Sequence, residues 1–110
     1  QPRVPWRREG LKVIDQSLFF PRDASPSNIG MSTQGYLYVP SACYSSDSGC
    51  KVHVQYHGCG CCADGYVQKM FVQDLGFNSW AESNKLFMLY PQASCNHMAS
   101  VCWNWNGQYA

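Results

Sequence analysis

Reactive side chains gather in one stretch, Lys51-Val52-His53-Val54-Gln55-Tyr56-His57-Gly58-Cys59-Gly60-Cys61-Cys62. Three chemistries are open to it. Cys59, Cys61, Cys62 and His57, with Cys95 and His97, could offer ligands to zinc. No second C-x-x-C and no H-x₃₋₅-H completes such a set, so no metal is expected. Cys59 and Cys62 follow a strand-like run and precede apolar sequence, where a redox dithiol belongs. The intervening Cys61 and the flanking His-Gly argue against that reading. The third chemistry is electrostatic. A strand ending in small residues leaves backbone N–H groups free to face a ligand. Gly58 lets the main chain approach a substrate carbonyl, and a following amide can stabilise a developing oxyanion.

A nucleophile to go with such a donor is not evident. A serine-hydrolase elbow needs Gly-x-Ser-x-Gly, and this sequence contains none. Gly30-Met31-Ser32-Thr33-Gln34-Gly35 has the wrong spacing and precedes a strand. The histidines are poor general bases by position. His53 lies within a strand and is expected to be a satisfied core residue. His57 is expected to fix the geometry of the turn with Gly58. His97 falls in a cysteine-bounded loop.

Seven cysteines in 110 residues favour disulfides in an oxidising compartment. Cys43 and Cys50 bracket a polar turn that a local bridge would close, and Cys95 and Cys102 bracket a similar loop. The odd count leaves at least one thiol to be free, or to pair with another polypeptide or another part of the same one. Charged residues are 14% and the formal net charge is +1, which excludes a strong nucleic-acid field. Apolar residues at 45%, with 15% aromatic, argue for a packed chain. Arg3, Arg7, Arg8 and Lys12 read as a solvated N-terminal arm over residues 1–10. The longest apolar runs are far too short to span a membrane. The chain begins at Gln1 with neither an initiator Met nor a signal-type segment. The expectation is mature secreted material or an excised portion of something longer, and no cofactor.

The elements that must position this stretch follow from pattern. Residues 11–14 are strand-like, and residues 22–34 are a Ser-, Asn- and Pro-rich loop. Residues 35–40 form a strand ended by Pro40, and residues 51–57 a strand with Val52, Val54 and Tyr56 on one face. These two are expected to pair antiparallel across the cysteine turn. Asp64 is placed to cap a helix over 65–75, with Val67, Met70, Phe71 and Leu75 on its apolar face. A second short helix is expected from Asn78 or Ser79 through Asn84, with Trp80 and Ala81 inward. The apolar run 86–90, stopped by Pro91, completes a βαβ crossover and should lie parallel to 51–57. The fold class is α/β, disulfide-stapled, an antiparallel hairpin plus one crossover. Both helices belong to that crossover, so one face of a sheet that needs two covered faces is left without cover.

In this order the blocks resemble one family, the poly(3-hydroxybutyrate) depolymerases and their relatives. The matching residues are Gly35-Tyr36-Leu37-Tyr38-Val39-Pro40, Cys50-Lys51-Val52-His53-Val54-Gln55-Tyr56-His57-Gly58-Cys59, Gly76-Phe77-Asn78-Ser79-Trp80-Ala81-Glu82-Ser83-Asn84, Leu89-Tyr90-Pro91-Gln92-Ala93 and Cys102-Trp103-Asn104-Trp105. Asp15-Gln16 upstream also fits. The resemblance implies a secreted α/β-hydrolase of polyester bonds with a Ser-Asp-His triad, circularly permuted in the fungal type. Residues 11–110 are similar to the C-terminal, oxyanion-hole half. It further implies the Cys59 backbone N–H as oxyanion donor, and Trp103 or Trp105 as cleft lining. It implies a Cys59–Cys102 bridge, which competes with the local Cys95–Cys102 pairing; both stay open. Gln55 stands where the family has a small apolar residue, Gly60-Cys61-Cys62 replaces a more polar continuation, and Asn104 replaces a common Asp. No triad residue has a match here. The expected partner is therefore the triad-bearing remainder of the enzyme or a cleaved partner chain, possibly disulfide-linked, with a polyester or small ester as substrate. The competing expectation is a non-catalytic secreted cysteine-rich binding or structural protein derived from the family.

Overall fold

The most continuously apolar run, Leu86-Phe87-Met88-Leu89-Tyr90, is the strand about which the others are arranged. In a computed structural model, residues 5–25, 30–45, 49–57 and 72–93 are described. Strands β1 (Leu11–Asp15), β2 (Gln34–Tyr38), β3 (Lys51–Val54) and β4 (Leu86–Tyr90) form one mixed sheet in the order β1-β2-β4-β3. β4 pairs antiparallel with β2 on one edge, Tyr36 opposite Tyr90 and Tyr38 opposite Met88. On its other edge it pairs parallel with β3, Lys51 opposite Leu86 and His53 opposite Met88. β1 pairs antiparallel with β2 over five residues.

The parallel relation of the 51–57 and 86–90 segments is as expected. The hairpin between 35–40 and 51–57 is not formed, because β4 lies between them. Their directions are opposed as expected; adjacency is what fails. The physical reason is composition. β4 has no polar residue and profits most from neighbours on both edges, whereas β3, with Lys51 and His53, tolerates an exposed position.

Helix α1 (Phe77–Asn84) covers one sheet face. Gly76 enters it at φ 88°, a left-handed conformation open to glycine, and Lys85 at φ 56° ends it. Ala81 is fully buried as expected, but Trp80 points outward at 46% exposure. The inward positions are Asn78 and Ala81, three apart, with Phe77 packed partly against the core. Val72 is also buried, while Leu75 is exposed; Val67, Met70 and Phe71 lie outside the described residues. The core is Tyr38, Val72, Ala81, Met88 and Tyr90, edged by Trp6, Leu11, Tyr36, Phe77 and Leu86.

Paired positions share a face, so Ile14, Leu37, Leu89, Val52 and Val54 point away from α1. Val52 is 62% exposed there. Ile14, Leu89 and Pro91, with Phe19, Phe20 and Met31, line an apolar groove of about 480 Å³ on that side. The side that lacked helices in the sequence is thus apolar and open among the described residues.

The N-terminal segment is bound where a solvated arm was expected. Arg7 donates its backbone N–H to the Tyr38 hydroxyl (2.9 Å) and its guanidinium to the Val39 carbonyl (3.1 Å). Its Nε lies 3.7 Å from Glu82 Oε1. Arg8 remains exposed, with its guanidinium 6.0 Å from the Trp6 ring. Glu82 accepts from the Tyr38 hydroxyl (2.6 Å), the Ser41 backbone N–H (3.2 Å) and the Ser41 hydroxyl. Its carboxyl lies below the usual range. Burial pushes it up, but the hydrogen bonds from Ser41 and Tyr38 and the Arg7 charge outweigh burial.

Burial, opposed by the Arg7 amide and reinforced by Glu82, pushes the Tyr38 hydroxyl up to about 12. Burial pushes Tyr90 higher still, helped by the neighbouring Tyr38. A raised folded value means the contribution is complete below the unfolded tyrosine value of about 10 and is lost as pH rises through the folded one. Thermal stability should therefore fall between about pH 10 and 12. A spectrophotometric titration should show a late tyrosine fraction that ionises together with unfolding. Ionisation of all tyrosines near pH 10 in the still-folded chain contradicts this.

Candidate functional site at the carboxyl ends of β3 and β4

In open α/β sheets, ligands bind beyond the carboxyl ends of parallel strands. Here those ends belong to β3 and β4. The chain leaves β3 through Gln55, whose N–H still donates to Leu89 O (2.8 Å), and reaches His57. His57 is buried at 3% exposure, and its Nε2 accepts the Ala93 backbone N–H at 3.1 Å. This bond closes the end of β3 onto the end of β4. With Nε2 engaged as an acceptor, that nitrogen is not a free base.

Residues 92–93 are also tied to the far side of the sheet. Gln16, buried, follows β1 in a short 3₁₀ turn (Gln16–Phe19) that Asp15 caps by accepting the Ser17 backbone N–H (3.0 Å). The Gln16 carboxamide donates to Ser32 O (2.7 Å) and Gln92 O (3.1 Å) and accepts from Gln92 N–H (2.9 Å). Ser32 N–H donates to Gln92 O as well (3.0 Å), and Met31 bridges Ala93. Gly35 is buried against this group, and a Cβ there would overlap Gln16 Oε1. A side chain at position 35 would thus crowd the Gln16 carboxamide, a constraint of close approach rather than of backbone angles.

Of the residues singled out in the sequence, Cys43 and Cys50 form a disulfide with Cα atoms 5.9 Å apart. Closing a loop of sequence separation 7 is worth roughly 2–2.5 kcal/mol by loop entropy. Gly58, Cys59, Cys61, Cys62, Cys95, His97, Cys102, Trp103, Asn104 and Trp105 lie outside the described residues. His53, expected in the core, is exposed on edge strand β3, its Nε2 3.1 Å from Gln55 Oε1. The edge position, set by sheet order, is what removes it from the core. Among the described residues no group of three or more His, Cys, Asp or Glu side chains could hold a metal ion. Among them, too, no helix is long and apolar enough to cross a membrane. Sequence reasoning named Gln16 and Glu82 only within family-like blocks and gave neither a role. A polar residue bounded by Leu11-Lys12-Val13-Ile14 and Leu18-Phe19-Phe20 was the available signal for Gln16.

The mixed sheet and the helix on one of its faces define an α/β protein. No family model matches the chain. It is 45% identical over 82 residues to the poly(3-hydroxybutyrate) depolymerase of Delftia acidovorans, covering 74% of this chain and 16% of that protein. It is 39% identical over 89 residues to the polyhydroxybutyrate depolymerase of Talaromyces funiculosus, covering 79% of this chain and 25% of that one. The crystal structure of the PHB depolymerase from Penicillium funiculosum matches with a TM-score of 0.57 and 35% identity, over 84% of this chain and 27% of that chain. A serine-to-alanine variant of a PHB depolymerase complexed with an R3HB trimer matches with a TM-score of 0.56 and 38% identity, over 76% of this chain and 24% of that one. The chain is thus similar in sequence and structure to polyhydroxybutyrate depolymerases, and it spans between 16% and 25% of the length of the curated relatives it matches.

Proposed function

We propose that this chain is the oxyanion-hole portion of a secreted, polyhydroxybutyrate depolymerase-like serine esterase. In this reading residues 11–110 make up part of an α/β-hydrolase domain, and residues 1–10 lead into it. The backbone N–H of Cys59 stabilises the tetrahedral oxyanion formed when a serine attacks the ester carbonyl. Trp103 and Trp105 line the cleft for the hydroxyalkanoate chain. The serine, the acid and the general-base histidine come from a triad-bearing remainder or partner chain, since an oxyanion donor alone forms no acyl-enzyme. Helices of that remainder would cover the open face bearing Ile14, Leu89 and Val52.

The observation that carries the reading is the position of His57. It is held beyond the carboxyl end of β3 by Ala93, at the end of the strands where open α/β sheets bind ligands. The similarity to the depolymerases supplies the reaction type.

Native material, recovered with an antibody to this chain, tests the proposal by intact mass with and without reductant and by fluorophosphonate labelling. The expected result is a longer or disulfide-linked species that labels on a serine and hydrolyses short 3-hydroxybutyrate esters. A single species of this chain's own mass in both conditions, unlabelled and without esterase activity, would leave the non-catalytic binding protein as the correct reading.

A further inference from the structure

One planar peptide joins Gln92 to Ala93, and both of its ends are held by side chains from the segments that follow β1 and β3. Its oxygen, Gln92 O, accepts from Gln16 Nε2 at 3.1 Å. Its hydrogen, on Ala93 N, is donated to His57 Nε2 at 3.1 Å. The peptide is rigid, so fixing the direction of its C=O fixes the opposed N–H. The Gln16 carboxamide also accepts the Gln92 N–H at 2.9 Å, which blocks rotation of the residue as a whole. Gln16 in turn cannot swing away. It donates to Ser32 O at 2.7 Å, and it lies against Gly35, where a Cβ would displace it.

The consequence reaches His57. A backbone N–H can only donate, so the Nε2 facing it carries the lone pair, and in the neutral ring the proton sits on Nδ1. We infer that Gln16 is a positioning residue: through the single peptide between Gln92 and Ala93 it sets the orientation and tautomer of His57, and so anchors the start of the turn that carries the oxyanion donor. Its role in a reaction rests on the function proposed above. The link from Gln16 to His57 does not. The arrangement is not needed merely to pair the sheet. β1 and β4 are not neighbours, and the contact spans 76 positions of sequence at the ligand-binding end of the strands.

Two variants of the full-length protein carrying this segment test it. Gln16→Glu keeps an acceptor for Gln92 N–H but removes both donations. Gly35→Ala keeps the carboxamide but crowds it. Each is compared with wild type by ¹⁵N NMR of the His57 ring and by steady-state hydrolysis of a soluble 3-hydroxybutyrate oligomer, at a temperature where circular dichroism shows every variant folded. The expected result is an unprotonated Nε2 signal for His57 in wild type that shifts or broadens in both variants. kcat should fall about tenfold to a hundredfold with KM unchanged, as for a misplaced catalytic turn. Should Gln16→Glu fail to fold, Gly35→Ala alone decides. An unaltered His57 signal in a folded variant overturns the inference whatever the activity. An altered signal with unchanged kcat reduces Gln16 to fold support and overturns the positioning role. A wild-type protein without ester hydrolysis overturns the proposed function and that role with it, while the ring signal still decides whether Gln16 controls His57.

Discussion

Glu82→Ala should lower the thermal midpoint by roughly 10–15 °C, the equivalent of about 3 kcal/mol in a domain of this size. The carboxylate accepts from Tyr38, from the Ser41 N–H and from the Ser41 hydroxyl, and it faces Arg7. It therefore joins α1 to the end of β2, to the residues leading into the Cys43–Cys50 staple and to the N-terminal segment. Alanine leaves the Tyr38 hydroxyl and the Ser41 amide without this acceptor, at about 1–3 kcal/mol for each that stays buried. Glu82→Gln keeps one acceptor and should cost about 1–2 kcal/mol near neutral pH, because the charge opposite Arg7 is gone. The two variants separate by pH. The folded Glu82 carboxyl titrates below its unfolded value. Its contribution is complete above an unfolded pKa of about 4.3 and is lost as pH falls through the lower folded one. The Glu82→Gln penalty should therefore shrink between about pH 7 and pH 3. Melts at both pH values check this, and a penalty that stays constant contradicts the role assigned to the charge.

Asn78→Ala should cost about 3 kcal/mol for a related reason. Asn78 is 1% exposed. Its Nδ2 donates to Val72 O (3.0 Å), and its Oδ1 accepts the Tyr90 hydroxyl. One side chain thus holds the chain before α1 and the last residue of β4 together. Truncation removes the donor of one buried carbonyl and this acceptor of one buried hydroxyl, and it opens a small cavity beside Ala81 and Tyr90. Tyr90→Phe alone removes only the hydroxyl and should cost about 1–1.5 kcal/mol. The double variant Asn78→Ala/Tyr90→Phe removes both polar partners and should cost clearly less than the two single losses combined. Denaturant unfolding of the four proteins measures the cycle. Strict additivity would mean that the Asn78–Tyr90 bond carries little of the stability.

Much of the fold was legible in residue pattern because strands and helices are local. The runs 11–14, 35–40, 51–57 and 86–90 are short and apolar or alternating, and each contains or overlaps an observed strand. The short helix expected from Asn78 or Ser79 through Asn84 overlaps α1, with Ala81 inward as expected. The Cys43–Cys50 bridge followed from two cysteines closing a polar turn, which only a local geometry has to satisfy. The outward Trp80 and exposed His53 were missed because a residue's exposure depends on what the other elements leave uncovered. The pairing of β2 with β4 was missed because its partners lie far apart in sequence, Tyr38 with Met88 and Tyr36 with Tyr90.

By itself, then, the sequence determined the element types, the local disulfide, the reversal of direction between β2 and β3, and the similarity to the polyhydroxybutyrate depolymerases. Those depend on periodicity, composition and the order of short motifs. Only the tertiary structure decided that β4 enters the sheet between β2 and β3, that Arg7 is drawn onto Glu82 and Tyr38, and that Gln16 meets the peptide which holds His57. Each of these joins residues more than thirty positions apart. Such contacts form because buried polar groups must find partners and an apolar strand must be covered, and neither demand names its partner in the local sequence.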